Sequence, residues 1–180
     1  MLRDLSTFQS KMSFHEKFKA GIWRLFQVFF LSHIFFPKHI RIMILRMFGA
    51  KIGSRVVIRA GIRVSFPWNL TIGENCWIGE NVWFINHAKI EIGRNVCISQ
   101  QAILCSGGHD FKSSNLKYRH GPIHVDDGAW ICLGAKVLAN SHVGKNSVLS
   151  ANETLNGKIP DNHIYKAAKV LPIDYEQKPE

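Results

Sequence analysis

From Ile52 onward the chain repeats with a period of six residues, and few folds can satisfy that period. Apolar residues stand at Ile52, Ile58, Val64, Ile72, Ile78, Phe84, Ile92, Ile98, Leu104, Val125, Ile131, Val137, Val143, Leu149 and Leu155, six apart with three exceptions. The chain is 46% hydrophobic. Chance agreement at every one of these positions is then on the order of one in 10^5. Four positions after each apolar residue comes mostly a small or β-branched one: Val56, Cys76, Val82, Ala88, Val96, Ala102, Gly108, Ala129, Ala135, Ser141 and Ser147. Glycine follows the apolar residue directly at 53, 73, 79, 93 and 144. Asparagine recurs at 75, 81, 95, 140, 146 and 152, where a turn requires a tolerated positive φ. Such a chain turns a corner every six residues. Three short strands make one coil, and stacked coils bury the aliphatic column. The connection rule for parallel strands favours a right-handed coil, but spacing alone leaves the hand open.

The exceptions carry the functional signal. Val64 to Ile72 and Phe84 to Ile92 are eight apart, and Leu104 to Val125 is twenty-one apart. With three faces per coil, all three expansions fall at one corner, so residues 65–71, 85–91 and 105–124 should stack. Places where a chain breaks its own rule tend to mark function. His109 opens the longest excursion, after Gly107 and Gly108, and Asn86 and His87 stand at the same corner one coil earlier. Acyl transfer to a hydroxyl needs a base of near-neutral pKa and a donor for the oxyanion. Histidine, backbone amides and an asparagine carboxamide meet those needs, although on residue type alone a loop histidine without special role is the better fit.

The net charge of +10 is uneven. Residues 1–51 carry nine Lys/Arg and two Asp/Glu, hence +7. A nucleic-acid binder would spread its charge over a face, so no nucleic-acid partner is expected. The asymmetry points to an N-terminal segment that meets an anionic surface such as a membrane. The run Ile22–Phe36 is too short to span a bilayer and is interrupted by Arg24, Gln27 and His33. Residues 14–48 read as one or two amphipathic helices broken at Pro37, with Trp23, Phe26, Phe29 and Phe30 on one face and Lys17, Lys19, Lys38, Arg41 and Arg46 flanking it. That face either packs on the protein or lies in a lipid interface. Cys76, Cys97, Cys105 and Cys132 form no CxxC pair, and the N-terminus begins polar and mixed rather than as a signal peptide, so free thiols in the cytoplasm are expected.

The segments Phe66-Pro67-Trp68-Asn69-Leu70, Ile98-Ser99-Gln100, Leu104-Cys105-Ser106-Gly107-Gly108-His109-Asp110 and Asp127-Gly128-Ala129-Trp130-Ile131 resemble the hexapeptide-repeat acetyltransferases of colanic-acid and exopolysaccharide biosynthesis. The likeness to maltose, galactoside and nodulation-factor acetyltransferases is more distant. The resemblance implies an all-β, left-handed parallel β-helix. Its domains would be an amphipathic helical segment at 1–50, the β-helix at 51–160 with a loop at 110–122, and a C-terminal tail at 161–180. It implies an acetyl-CoA-dependent O-acetyltransferase acting on a sugar or saccharide intermediate of surface polysaccharide. His109 would be the general base for direct attack on the thioester, and Asn86, His87 and Asp110 would lie at the acceptor. It also implies a homotrimer with the loop reaching a neighbour, where Lys112, Lys117, Tyr118, Arg119 and His120 would touch acceptor or subunit. The donor residues implied are Trp130, Gly134, Ala135, Ser150, Ala151, Lys158 and Lys166, with Lys169 as a further phosphate contact and no metal. Glu153 stands where the family has a small residue, and the usual phosphate-binding tail is shortened to Tyr165-Lys166-Ala167-Ala168-Lys169.

Two other readings use the same coil. A zinc enzyme resembling the gamma-class carbonic anhydrases would draw ligands from His87, His109, His120 and His124, although His120 and His124 lack that family's spacing. A non-catalytic membrane-associated scaffold would use the solenoid to trimerise and the basic helices to bind lipid. For the transferase, a cytoplasmic location at the inner membrane face is the expected setting.

Overall fold

A computed structural model describes residue 6 and residues 12–31, 35–110, 112–167 and 169–172. Phe111 of the loop and residues 173–180 of the expected tail lie outside the described residues. From Lys51 the chain winds into a parallel β-solenoid of three faces. The first face orders Lys51–Ile52, Leu70–Ile72, Ile90–Ile92, Ile123–Val125, His142–Val143 and Lys158–Ile159. The second begins with Val57–Ile58 and the third with Arg63–Val64. Register is exact to the repeat: Ile52 pairs with Ile72, Ile72 with Ile92, Ile92 with Val125, and Val125 with Val143. The aliphatic column of the repeat is buried along its whole length. The asparagines expected at turns all adopt positive φ, between 52 and 64°. Coils approach so closely that a Cβ on Gly73 would strike the Gly93 carbonyl.

Two members of the small-residue column, Ala88 and Gly108, are not in the core. Both stand at the expanded corner. There the extra residues let Leu70, Ile90 and Ile123 turn inward, two positions ahead of the repeat.

The helical segment has a structural task that the sequence did not announce. The first coil would otherwise present three unpaired strand edges. Helix α1 (Phe14–Phe26) begins with a capping box between Ser13 and Glu16 and continues into a π-helical turn, Gln27–Leu31. Trp23 Nε1 donates to the Val64 carbonyl at 2.6 Å, and the Val64 N–H donates to Gln27 Oε1 at 2.6 Å. Helix α2 (Lys38–Met47) starts after Pro37. From it Arg41 donates to the Ile58 carbonyl at 3.3 Å and Arg46 to the Ile52 carbonyl at 2.6 Å. All three faces of the first coil are thereby capped. The face read as Trp23, Phe26, Phe29 and Phe30 divides: Trp23 is fully buried, Phe26 and Phe30 are half-buried, and Phe29 faces outward. Arg41 and Arg46 likewise turn toward strand carbonyls, so part of the N-terminal charge serves the fold rather than an external anion.

The opposite end differs from the tail expected at 161–180. His163–Lys166 continues the second face in parallel with Val148–Leu149, and Lys169–Pro172 folds back on it antiparallel. Glu153, unusual for its position, accepts from the Ala167 N–H at 2.6 Å and braces the turn of this hairpin.

Candidate active site

The three expanded corners do stack, between the third face and the first. Two buried polar side chains hold them together. Asn86 is wholly buried: its Oδ1 accepts from the Phe66 N–H at 2.9 Å and its Nδ2 donates to the Phe66 carbonyl at 2.5 Å. Ser106 repeats the device one coil later, accepting from the Ala88 N–H at 2.9 Å and donating to the Ala88 carbonyl at 2.9 Å. Asn86, expected at the acceptor, is thus a rung of this ladder, with both ends of its carboxamide on the Phe66 backbone. Asn86→Ala should lower stability by about 1–3 kcal/mol, chiefly through the Phe66 N–H left without its partner, since the Phe66 carbonyl keeps the Asn69 N–H. Chemical denaturation checks this, and a variant that keeps its stability but weakens acceptor binding would restore the substrate role.

On this scaffold Gly107–His109 pairs antiparallel with Tyr118–His120, the second strand falling within the loop expected at 110–122. The aromatic rings here form a continuous stack. Phe66 meets His87 at 5.0 Å, His87 lies parallel to His120 at 5.0 Å, His120 meets Tyr118 at 5.1 Å, and Tyr118 stacks on His109 at 5.1 Å. Three histidines called from sequence are thus brought together, while His124 is not. It stands on the first face beside Glu91, 3.1 Å from its carboxylate. Among the described residues no group of His, Cys, Asp and Glu is arranged to hold a metal ion.

His109 itself is exposed, with Nδ1 2.6 Å from the Leu116 carbonyl. A carbonyl only accepts, so Nδ1 carries a proton, and in the neutral tautomer this contact favours, the lone pair belongs to Nε2. Leu116 reaches this position with φ of +49°, a conformation that a leucine adopts only under constraint. Nothing in the sequence marked Leu116. Asp110, called for the acceptor, shapes the same turn: its Oδ1 accepts from the Lys112 N–H at 3.0 Å and its carbonyl from the Ser113 N–H at 3.1 Å.

His87 has an exposed outline, but its ring faces are covered by Phe66 and His120. Burial, then the neighbouring His120 and His109, pull its pKa below the ordinary 6.5. Burial and His109 do the same to His120. Both rings are thus held neutral at neutral pH. As pH drops below about 6.5, the unfolded chain binds protons that the folded chain refuses. Stability should therefore fall on acidification from pH 7 toward 5 and be unaffected by these groups above pH 7. Melting curves of a His87→Gln/His120→Gln variant should show a shallower acid limb than the parent.

A groove of about 370 Å³ opens at His109, lined by Cys105, Gly107, Gly108, Arg119, Leu138 and Asn156 among others. None of the residues called for the donor lines it. Ala135 is in the core, with its N–H donating to the Cys132 carbonyl and its carbonyl accepting from the Ile103 N–H. Gly134, Ser150 and Ala151 stand at the corner between the second and third faces. Trp130 lies half-exposed on the second face, its Nε1 donating to Ser99 Oγ at 2.9 Å. Lys158 is on the first face and Lys166 in the terminal hairpin. All four cysteines are free, and burial raises the pKa of Cys76, Cys97 and Cys132.

No family model matches the chain. It is, however, 32% identical over 133 residues to the "Putative colanic acid biosynthesis acetyltransferase WcaF" of Escherichia coli strain K12, covering 74% of this chain and 73% of that protein. A hexapeptide-repeat acetyltransferase from Vibrio cholerae superposes with a TM-score of 0.80 at 19% identity, over 88% of this chain and 92% of that one. A galactoside acetyltransferase in complex with coenzyme A superposes with a TM-score of 0.80 at 18% identity, over 92% and 84%. With the solenoid, the stacked corners and this relative in agreement, the chain belongs to the hexapeptide-repeat acetyltransferases.

Proposed function

We propose that the protein transfers an acetyl group from acetyl-CoA to a hydroxyl of a saccharide intermediate of surface polysaccharide, with His109 as general base. The observation that carries this reading is the Leu116 carbonyl on His109 Nδ1, which leaves Nε2 to take a proton. Acetyl-CoA supplies the acyl group as a thioester. The acceptor hydroxyl gives its proton to Nε2 as its oxygen attacks the thioester carbon. The carbon–sulfur bond then breaks, and the imidazolium returns the proton to the departing thiolate. No enzyme-bound acyl group forms.

The groove, lined by Gly107 and Gly108, suits the acyl end of the donor, while none of the residues expected to hold the rest of coenzyme A lines it. A homotrimer answers this, bringing a neighbour's second face to the groove. The stripe Trp77, Cys97 and Trp130, in register on that face with both tryptophans exposed, supports such a contact, and it is there that Trp130, Gly134, Ser150 and Ala151 would meet the donor.

Helix α1 supports a seat on an anionic lipid surface at the inner membrane face. Phe14, Phe18, Ile22, Leu25 and Phe29 form one exposed stripe, with Lys17 and Arg24 on one flank and Lys19 on the other. No helix among the described residues is long and apolar enough to cross a membrane. Phe18→Ser/Leu25→Ser should lower binding to vesicles containing phosphatidylglycerol, and unchanged binding would remove the lipid seat.

The decisive experiment for the activity is mass spectrometry of cell-surface saccharide with and without the protein. A missing acetyl group that only the active protein restores is expected. An unchanged saccharide would favour the scaffold.

A further inference from the structure

A second cavity lies on the other side of the ring stack from the His109 groove. It holds about 190 Å³ between the first coils and helix α1, lined by Arg24, Gln27, Arg63, Ser65, Phe66, Trp83 and His87. Its polar character is one-sided. The Arg63 guanidinium lies over the Trp83 ring, 4.0 Å from its centroid. Arg24 enters from the last turn of α1. Just beyond Phe66, Lys19 covers Trp68 at 4.1 Å. Among the described residues no carboxylate lines the cavity, and the ion pairs lie elsewhere, at Arg55–Glu74, Arg94–Asp127, His124–Glu91 and His142–Asp126. Stacking on tryptophan fixes the plane of Arg63 while leaving its N–H edge for a ligand.

We propose that this cavity binds the anionic group of the acceptor, a phosphate or a carboxylate, through Arg24 and Arg63. The inference rests on the reading of His109 as the base, because the position of the cavity gives it meaning. His87 is shared between its wall and the ring stack, and Tyr118 stands 6.3 Å from His87 and 5.1 Å from His109. An acceptor anchored by its charge at one end of the stack would extend its sugar along the rings toward Nε2. Planar guanidinium groups suit both anions, since each offers a pair of oxygens to the fork.

The full-length protein is titrated with glucose 1-phosphate, glucuronate and glucose, read by tryptophan fluorescence because Trp83 walls the cavity. Glucose 1-phosphate or glucuronate should bind at least about tenfold more tightly than glucose, and the tighter of the two identifies the anion. Arg63→Gln should weaken that binding roughly tenfold and Arg24→Gln/Arg63→Gln roughly a hundredfold, with part restored by Arg63→Lys. Acetyl-CoA binding should be unchanged in all three variants. Equal binding of glucose and the anions, or full anion binding by the double variant, overturns the proposal. His109→Ala should keep anion binding. Anion binding by a protein that acetylates no saccharide would sink the assignment of His109 and leave the cavity standing. Transfer to neutral saccharides, undiminished in the arginine variants, would do the reverse.

Discussion

His109→Ala is expected to cut the rate of acetyl transfer by about 10^2–10^4-fold, with melting temperature and acetyl-CoA affinity near those of the parent. The side chain is exposed and outside the core, so truncation opens no cavity. What it removes is the imidazole whose Nδ1 Leu116 holds. The loss should fall on kcat, because proton removal belongs to the transition state rather than to ground-state binding. Steady-state kinetics against any saccharide that the parent acetylates, together with a direct acetyl-CoA titration, separates the two. A variant that keeps full transfer removes His109 from the chemistry. A variant that loses donor affinity instead would make His109 a binding residue. His109→Gln is a useful companion, since its carboxamide preserves some bulk and hydrogen bonding but takes no proton. It should be as slow as alanine.

The largest effect on stability is expected at Trp23. This side chain is fully buried where α1 meets the first coil, packs against Phe48 at 5.1 Å, and donates to the Val64 carbonyl. Trp23→Ala should cost about 3–5 kcal/mol from the cavity alone, with the unpaired carbonyl of an edge strand added to it. In a chain of this length the melting temperature should fall by roughly 10 °C or more. Trp23→Phe keeps most of the packing and loses the hydrogen bond, so it should cost about 1–2 kcal/mol. If Trp23→Ala melts within a few degrees of the parent, the helices do not cap the solenoid. Uncapping should also promote aggregation through the exposed strand edges, visible as light scattering on heating.

How much of this was legible beforehand follows from the kind of information each feature carries. The solenoid was legible because hexad periodicity is a local rule repeated many times. Each Asn turn and each inward aliphatic reports the same geometry, and Ile52, Ile72, Ile92, Val125 and Val143 then line up by stacking alone. The stacking of the corners that carry the candidate site was legible for the complementary reason: His87 and His109 sit where the count breaks, and the breaks must stack. The bonds Asn86 makes were not legible, because residue type cannot reveal which way a side chain turns at an irregular corner, and here the Phe66 backbone lay within its reach. Glu153 made no sense until the terminal hairpin brought the Ala167 N–H to it.

The sequence by itself determined the coil, its register and the corner that carries His109, since these depend on spacing along the chain. Only the tertiary structure decided that Leu116 sets the His109 tautomer, that Asn86 and Ser106 support the corner, and that Trp23, Arg41 and Arg46 close the first coil. Each of those depends on a backbone group left unsatisfied by an irregular turn or a strand edge. Where such a group points is set by the folded chain as a whole, and no local pattern records it.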